Sequence, residues 1–370
     1  MKSTKFILIA CLVTIICVSF SYWYSRYVSY TDFPVLYNSA SYYLKEDSAL
    51  GDIYGIVISH MYDLPEETNH GKFIYSPLAL ILLSPLGYFE YYNAKTILMS
   101  LNMLSYVLSI YLIYKLLELS KRWLICLIFL SFFWKPFWVD VMFGQINSIL
   151  LLLIMLSVYS LKNKNLLISG SLIGLAASFK LFPIGIAMTL GIRNFRVFLG
   201  CTIFSVLLLS IPGSIKWFSA IHNNHFIELS PAYQILNILN PNLGYLYSAT
   251  ISFVTALIIY KSKIYDPLKI VAYSIPAIFL AAPVIEYYHL TLLIISYIFL
   301  MNYAKNNNKL IHILIPLLSF SIITFGYFLD GLDSIVKREI YYISIFLLWV
   351  AYTDIFSSDF DKSSTSHHNS

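Results

Sequence analysis

Residues 166–190 read LLISGSLIGLAASFKLFPIGIAMTL, a stretch whose only charged residue is Lys180. At 1.5 Å per residue, about 20 apolar residues are enough to cross a hydrocarbon core of about 30 Å, so this stretch reads as membrane-spanning. The rest of the chain repeats the signal. Its 370 residues are 59% hydrophobic and 12% charged, with a mean hydropathy of +0.73, whereas soluble domains run at about 45 to 50% apolar and 25% charged. The chain is an all-α polytopic membrane protein on this reading, which excludes a soluble enzyme, a disordered scaffold and a secreted disulfide module. A net charge of +5 without a basic block argues against nucleic acid as a partner. Cys11, Cys17, Cys126 and Cys201 lie inside apolar runs, without the close pairing or histidine neighbours of a zinc or disulfide framework. No metal set and no cofactor is read from the sequence.

Outward from residues 166–190, apolar windows recur at about residues 77–90, 94–117, 123–139, 146–161, 195–212, 245–260, 268–285, 287–303, 309–329 and 339–356. With the N-terminal run this predicts about twelve helices, or ten or eleven if the short window holding Pro77 and Pro85 is re-entrant. Lys2 and Lys5 before Phe6–Phe20 fit either a signal peptide or a first span. The continuation into Tyr22-Trp23-Tyr24 favours a retained helix with interfacial aromatics. The expected organisation is one integral membrane domain over 1–356, with long outer loops at 23–76 and 213–244, then a disordered polar tail over 357–370. The first loop is acidic, with Asp32, Asp63 and Glu66 among its carboxylates, and the second holds His222, His225, Gln234 and Asn237. Basic residues divide almost evenly between the two sides, so the positive-inside rule does not fix the orientation.

Polar groups inside apolar windows are expensive, which makes each a functional candidate. Lys180 lies about 14 residues, roughly 21 Å, into its window. It either snorkels to an interface or supplies a cation for a lipid phosphate, and Pro183 nearby would kink the helix. In Phe143-Gly144-Gln145-Ile146-Asn147, Gln145 and Asn147 either bond sugar hydroxyls or cross-link helices. In Glu286-Tyr287-Tyr288-His289 the carboxylate and imidazole would share one helix face, as a mutually satisfied pair or as a phosphate-binding or base-orienting one. Asp32 in Thr31-Asp32-Phe33-Pro34 is either a helix N-cap or a carboxylate working with the rings of Tyr37, Tyr42, Tyr43, Tyr54 and Tyr75 at a sugar-handling surface.

The order of these elements, Asp32-Phe33 with Tyr37 soon after, Phe73-x-Tyr75-x-Pro77, Gly144-Gln145-x-Asn147, Gly174-Leu175-Ala176-Ala177-x-x-Lys180-x-x-Pro183 and Pro283 to His289, resembles glycosyltransferase family 87. The resemblance covers Asp32 to His289. It implies a GT-C-type fold with about twelve transmembrane helices and outer-face juxtamembrane segments. It also implies a polyprenyl-phosphate-linked sugar donor, a lipid or glycan acceptor, and inversion at the anomeric carbon on the outer face of the cell membrane. On this resemblance Asp32 is the catalytic base. His289, with Lys180 and His225, would receive the donor phosphate, and Tyr37, Tyr75, Gln145, Asn147 and Glu286 would contact substrate. Two departures stand out: the late motif keeps one imidazole where the family commonly has two, and the second loop lacks a clear Asn-Gln-Ser element. In a twelve-span arrangement Lys180 and Gln145 fall toward the cytoplasmic half, far from Asp32, unless their helices are broken. A multi-pass transporter or lipid-linked sugar flippase would share the composition but predicts two similar halves, which the sequence does not show. A non-catalytic scaffold leaves the loop carboxylates without a role.

Overall fold

The computed structural model describes residues 2–26, 32–45, 53–54, 73–223, 236, 239–262, 264–282, 286–307, 311–326 and 334–365, and among these there is no strand. The protein is a polytopic all-α membrane protein. Helix α1 (Lys2–Tyr24) lies along α4 (Tyr91–Leu116), tied by a 2.8 Å bond between the Ser25 and Thr96 hydroxyls. Between them in sequence come α2 (Phe33–Lys45), α3 (Pro77–Leu83) and a 3-10 turn at Ser84–Tyr88. The turn packs directly on α2. A Cβ on Gly87 would sit 2.9 Å from the Ala40 and Ser41 backbone, so only glycine permits the approach.

The central part of the chain is a series of short helices: α5 (Lys121–Phe132), α6 (Lys135–Met142), α7 (Asn147–Lys162), α8 (Leu166–Phe179), α9 (Pro183–Arg193) and α10 (Phe195–Leu209). The last part comprises α11 (Ser214–Asn223), α12 (Pro241–Lys261), α13 (Pro267–Ala281), a 3-10 segment (Tyr287–Leu293) running into α14 (Ile294–Asn307), then α15 (Ile311–Gly326) and α16 (Ser334–Thr365). Of the span from Tyr287 to Lys305, 72% is buried within the protein, against 22% for Asn242–Lys261. The former is therefore central, and the latter presents most of its surface outward.

Several of the expected windows form helices that are interrupted or shorter than a full span. Among the described residues four helices are long and apolar enough to cross a membrane, five if the bent pair α5 and α6 counts as one; α7, α8, α9, α10 and α13 are apolar but have only 10–17 residues. The reason is local chemistry. Pro136 and Pro183 lack the N–H that would continue the preceding helix, and each instead opens a new one within its first two positions. Window 123–139 thus bends by 55° between α5 and α6, and window 166–190 breaks at Lys180, whose backbone is extended at φ −145°, ψ 139°. Window 77–90 is α3 plus the 3-10 turn, too short to span. At the other end, α16 carries helix on through 357–365, where composition alone reads as a disordered tail. Extending an existing helix avoids the nucleation cost that a free polar tail would meet.

Candidate active site

A buried apolar floor holds the site together. Phe33, Leu36 and Tyr37 of α2 pack with Leu83, Leu98, Ile146, Leu150, Ala176 and Phe179. Above it five breaks in helical structure converge: the start of α2, the non-helical approach to α3, the turn between α6 and α7, the gap between α8 and α9, and the start of the 3-10 segment. The α6–α7 turn pivots on Gly144, at φ +65°, where a Cβ would lie 2.6 Å from that of Phe33. A side chain at 144 would be both strained and overpacked.

Gln145, only 5% exposed, is the hub of the polar network. Its Nε2 donates to Asp32 Oδ2 at 2.7 Å, two residues 113 positions apart. Its Oε1 accepts from Tyr75 OH at 2.9 Å and from Lys180 Nζ at 2.9 Å. Burial, then the charges of Asp32, Glu286 and Asp140, holds the Tyr75 phenol well above its ordinary pKa, so it stays protonated and acts as a donor. The Tyr75 carbonyl accepts from Tyr54 OH at 2.8 Å, and the preceding Ile74 carbonyl accepts from Trp217 Nε1 of α11 at 2.9 Å. The segment bearing Tyr75 is therefore held by both long loops. Lys180 lies in the field of Glu286, Asp140 and Asp32, with its Nζ 4.7 Å from the Tyr288 ring centroid and 2.9 Å from His289 Nε2.

Glu286 and His289 do not lie side by side on a helix face, as their spacing suggests. Glu286 is the N-cap of the 3-10 segment, and the two form a reciprocal capping box. The Glu286 N–H donates to His289 Nδ1 at 3.0 Å, while the Glu286 carboxylate accepts from the His289 backbone N–H. The preceding helix ends at Ala281, with Ala282 extended at φ −69°, ψ 133°, and the 3-10 segment starts from the Glu286 cap. Because Nδ1 accepts, the neutral imidazole carries its proton on Nε2. Nε2–H then faces Lys180 Nζ at 2.9 Å, a hydrogen bond when Nζ is an uncharged amine and an opposition of two donors when it is an ammonium.

Of the other expected site residues, Tyr37 turns away: its hydroxyl donates to the Phe89 carbonyl at 2.9 Å and its ring packs edge-on to Tyr91. Asn147 is also structural in its contacts, since its Nδ2 and backbone N–H donate to Asp140 Oδ1 at 2.7 and 3.1 Å. His225 lies outside the described residues, as do Asp63, Glu66 and Pro283. Asp140 and Asn102 were not singled out by sequence. Asp140, fully buried, also accepts from Ser148 N–H and Oγ at 2.9 and 2.7 Å, and its carbonyl accepts from Gln145 N–H at 3.0 Å. Asn102 Nδ2 donates to the Gln145 carbonyl at 2.5 Å. The available signal was an acid between Val139 and Val141 and an amide between Leu101 and Met103, each flanked by apolar residues.

Residues 73–285 match glycosyltransferase family 87. The chain belongs to that family. It is also 27% identical over 215 residues to GPI mannosyltransferase 1 of Kluyveromyces lactis, an alignment covering 55% of this chain and 50% of that protein. The chain thus spans about half the length of that relative. It is thus a multi-pass membrane protein of the glycosyltransferase 87 family. The matched range contains Tyr75, Gln145 and Lys180. Asp32, Glu286 and His289 fall outside it, and it is the three-dimensional network that brings Asp32 and His289 to the matched residues.

Proposed function

We propose that the protein transfers a hexose, with mannose the first to test, from a polyprenyl-phosphate-linked donor to a hydroxyl of a lipid or glycan acceptor. The transfer inverts the anomeric carbon and takes place on the outer face of the cell membrane. One observation carries this reading: a carboxylate, Asp32, is joined through a single amide to a pair of N–H donors, Lys180 and His289, that face one another. An anionic phosphate oxygen would accept from both nitrogens and relieve their mutual repulsion, which a neutral ligand would do less well.

In the proposed step the acceptor oxygen attacks the anomeric carbon from the side opposite the phosphate. The new C–O bond forms as the carbon–oxygen bond to polyprenyl phosphate breaks, and the phosphate oxygen leaves with the electron pair. The acceptor hydroxyl proton passes to the Asp32 carboxylate. Lys180 and His289 stabilise the charge developing on the leaving group, so it needs no proton. The aromatic groups of Tyr75 and Tyr288 flank the network. The single integral membrane domain, with both long loops on the active-site side, is part of the same proposal, and His225 in the second loop is a further candidate for the phosphate.

The test is transfer by purified protein from labelled polyprenyl-phosphate mannose, with a nucleotide-linked mannose in parallel. Label should reach a lipid or glycan acceptor from the first only. Transfer from the nucleotide-linked sugar alone would overturn the donor class, and retained anomeric configuration in the product would overturn the single-displacement step.

A further inference from the structure

We infer that Gln145 is a positioning residue that separates Asp32 from Lys180 and thereby keeps the base and the cation from neutralising one another. The inference rests on the reading of Asp32 as base. Its ground is the way one uncharged amide is held between opposite charges. Both Oε1 lone pairs are used, one by Lys180 Nζ and one by Tyr75 OH, while Nε2 faces the carboxylate. The reverse orientation would set an NH₂ against an ammonium and a carbonyl against a carboxylate, so the amide has one stable setting. The main chain is fixed as well: Gln145 N–H donates to the Asp140 carbonyl at 3.0 Å, Asn102 holds its carbonyl, and Gly144 supplies the left-handed turn.

An enclosed carboxylate and ammonium attract strongly when nothing stands between them. A direct Asp32–Lys180 pair would occupy the lone pairs that must receive the acceptor proton and the N–H groups that must meet the phosphate. Gln145 bonds to both without changing the charge of either. The other charged or titratable groups facing this point are Glu286 and His289 from the 3-10 segment, Asp140 from α6 and Tyr75 before α3. Gln145 bonds to both Asp32 and Lys180 through one amide.

Two near-isosteric variants make opposite demands. Gln145→Glu places a second negative charge against Asp32, which should move the acidic limb of the pH–kcat profile to higher pH. Gln145→Met removes both bonds and lets Lys180 close on Asp32, which should move that limb to lower pH. Each should lower kcat about tenfold or more, since misplacement of a catalytic group by about 1 Å can cost 10²-fold. The assay is transfer from labelled polyprenyl-phosphate mannose by detergent-purified, monodisperse protein, with Asp32→Asn run alongside. Limbs that stay in place, or a loss confined to donor KM, would overturn the inference, because a purely structural or substrate-binding Gln145 predicts those results. If Gln145→Glu does not fold, the direction of the shift in Gln145→Met decides. Near-normal turnover in Asp32→Asn would remove the base reading and this inference together, whereas an inactive Asp32→Asn with unmoved limbs would remove only the separator.

Discussion

Replacing Asp32 by Asn removes proton acceptance, and the charge that goes with it, while keeping the size of the side chain. Asn has the same size, and its Oδ1 can turn toward Gln145 Nε2 and keep the bond that measures 2.7 Å in the native protein. Asp32 immediately precedes α2, where Asn is as good a cap as Asp, so the cost in stability is at most about 1 kcal/mol. Loss of a general base instead costs about 10² to 10⁴ in rate, or about 2.7 to 5.4 kcal/mol of transition-state stabilisation at 1.36 kcal/mol per decade. The measurements are initial rates of transfer from labelled polyprenyl-phosphate mannose, donor binding by filtration or scintillation proximity, and thermal midpoint in detergent. The expected pattern is a collapse in kcat with the midpoint and donor binding retained. Turnover near the native rate would refute the reasoning and move the base to another first-loop carboxylate, with Asp63 and Glu66 next to examine.

Three further outcomes follow from the same geometry. His289→Ala removes the imidazole 2.9 Å from Lys180 Nζ and should raise KM for the donor more than KM for the acceptor; an unchanged donor affinity in folded protein would assign His289 to its cap with Glu286 instead. Asp140→Asn replaces a carboxylate that accepts four hydrogen bonds from Asn147 and Ser148. It should leave at least one buried donor unpaired and cost about 2 to 4 kcal/mol, read as a lower thermal midpoint that accompanies the loss of transfer; loss of transfer at an unchanged midpoint would give Asp140 a chemical role. Topology reporters fused after Tyr62 and after Asn224 should both read outside and one after Asn307 inside; opposite faces for the first two would separate the long loops and sink a shared active site.

The class of fold was legible because it depends on composition and on the length of apolar runs, which survive any local rearrangement. Which polar residues meet was only partly legible. Tyr75, Gln145, Lys180 and His289 stood out by residue type and by the order of motifs, yet nothing in their spacing places the Gln145 amide on a carboxylate 113 residues away. A window read as a straight rod puts Lys180 deep and far from Asp32. The chain instead breaks there, with Lys180 extended between α8 and α9, and turns at Gly144 between α6 and α7. Asp140 escaped notice for a related reason: its value lies in four bonds to residues seven and eight positions ahead, across a turn that a helical reading does not contain.

The breaks and the buried charges account for one another. An apolar enclosure penalises an ammonium or a carboxylate unless partners are fixed around it, and a continuous helix already commits its backbone groups to itself. Where α8 stops, Lys180 can reach an amide, a ring and an imidazole. Where α7 starts, the first free N–H groups find the Asp140 carboxylate. Where the 3-10 segment starts, a free N–H sets the tautomer of His289. Irregular backbone at such depth is tolerated only when surrounded by protein or lining a cavity, and the buried floor formed by Phe33, Ile146 and Phe179 meets that condition. The positions that interrupt the spans are thus the ones that allow charged chemistry among them. It follows that substitutions straightening the chain at Gly144 or at Pro183 should abolish transfer without touching a group that meets the substrate.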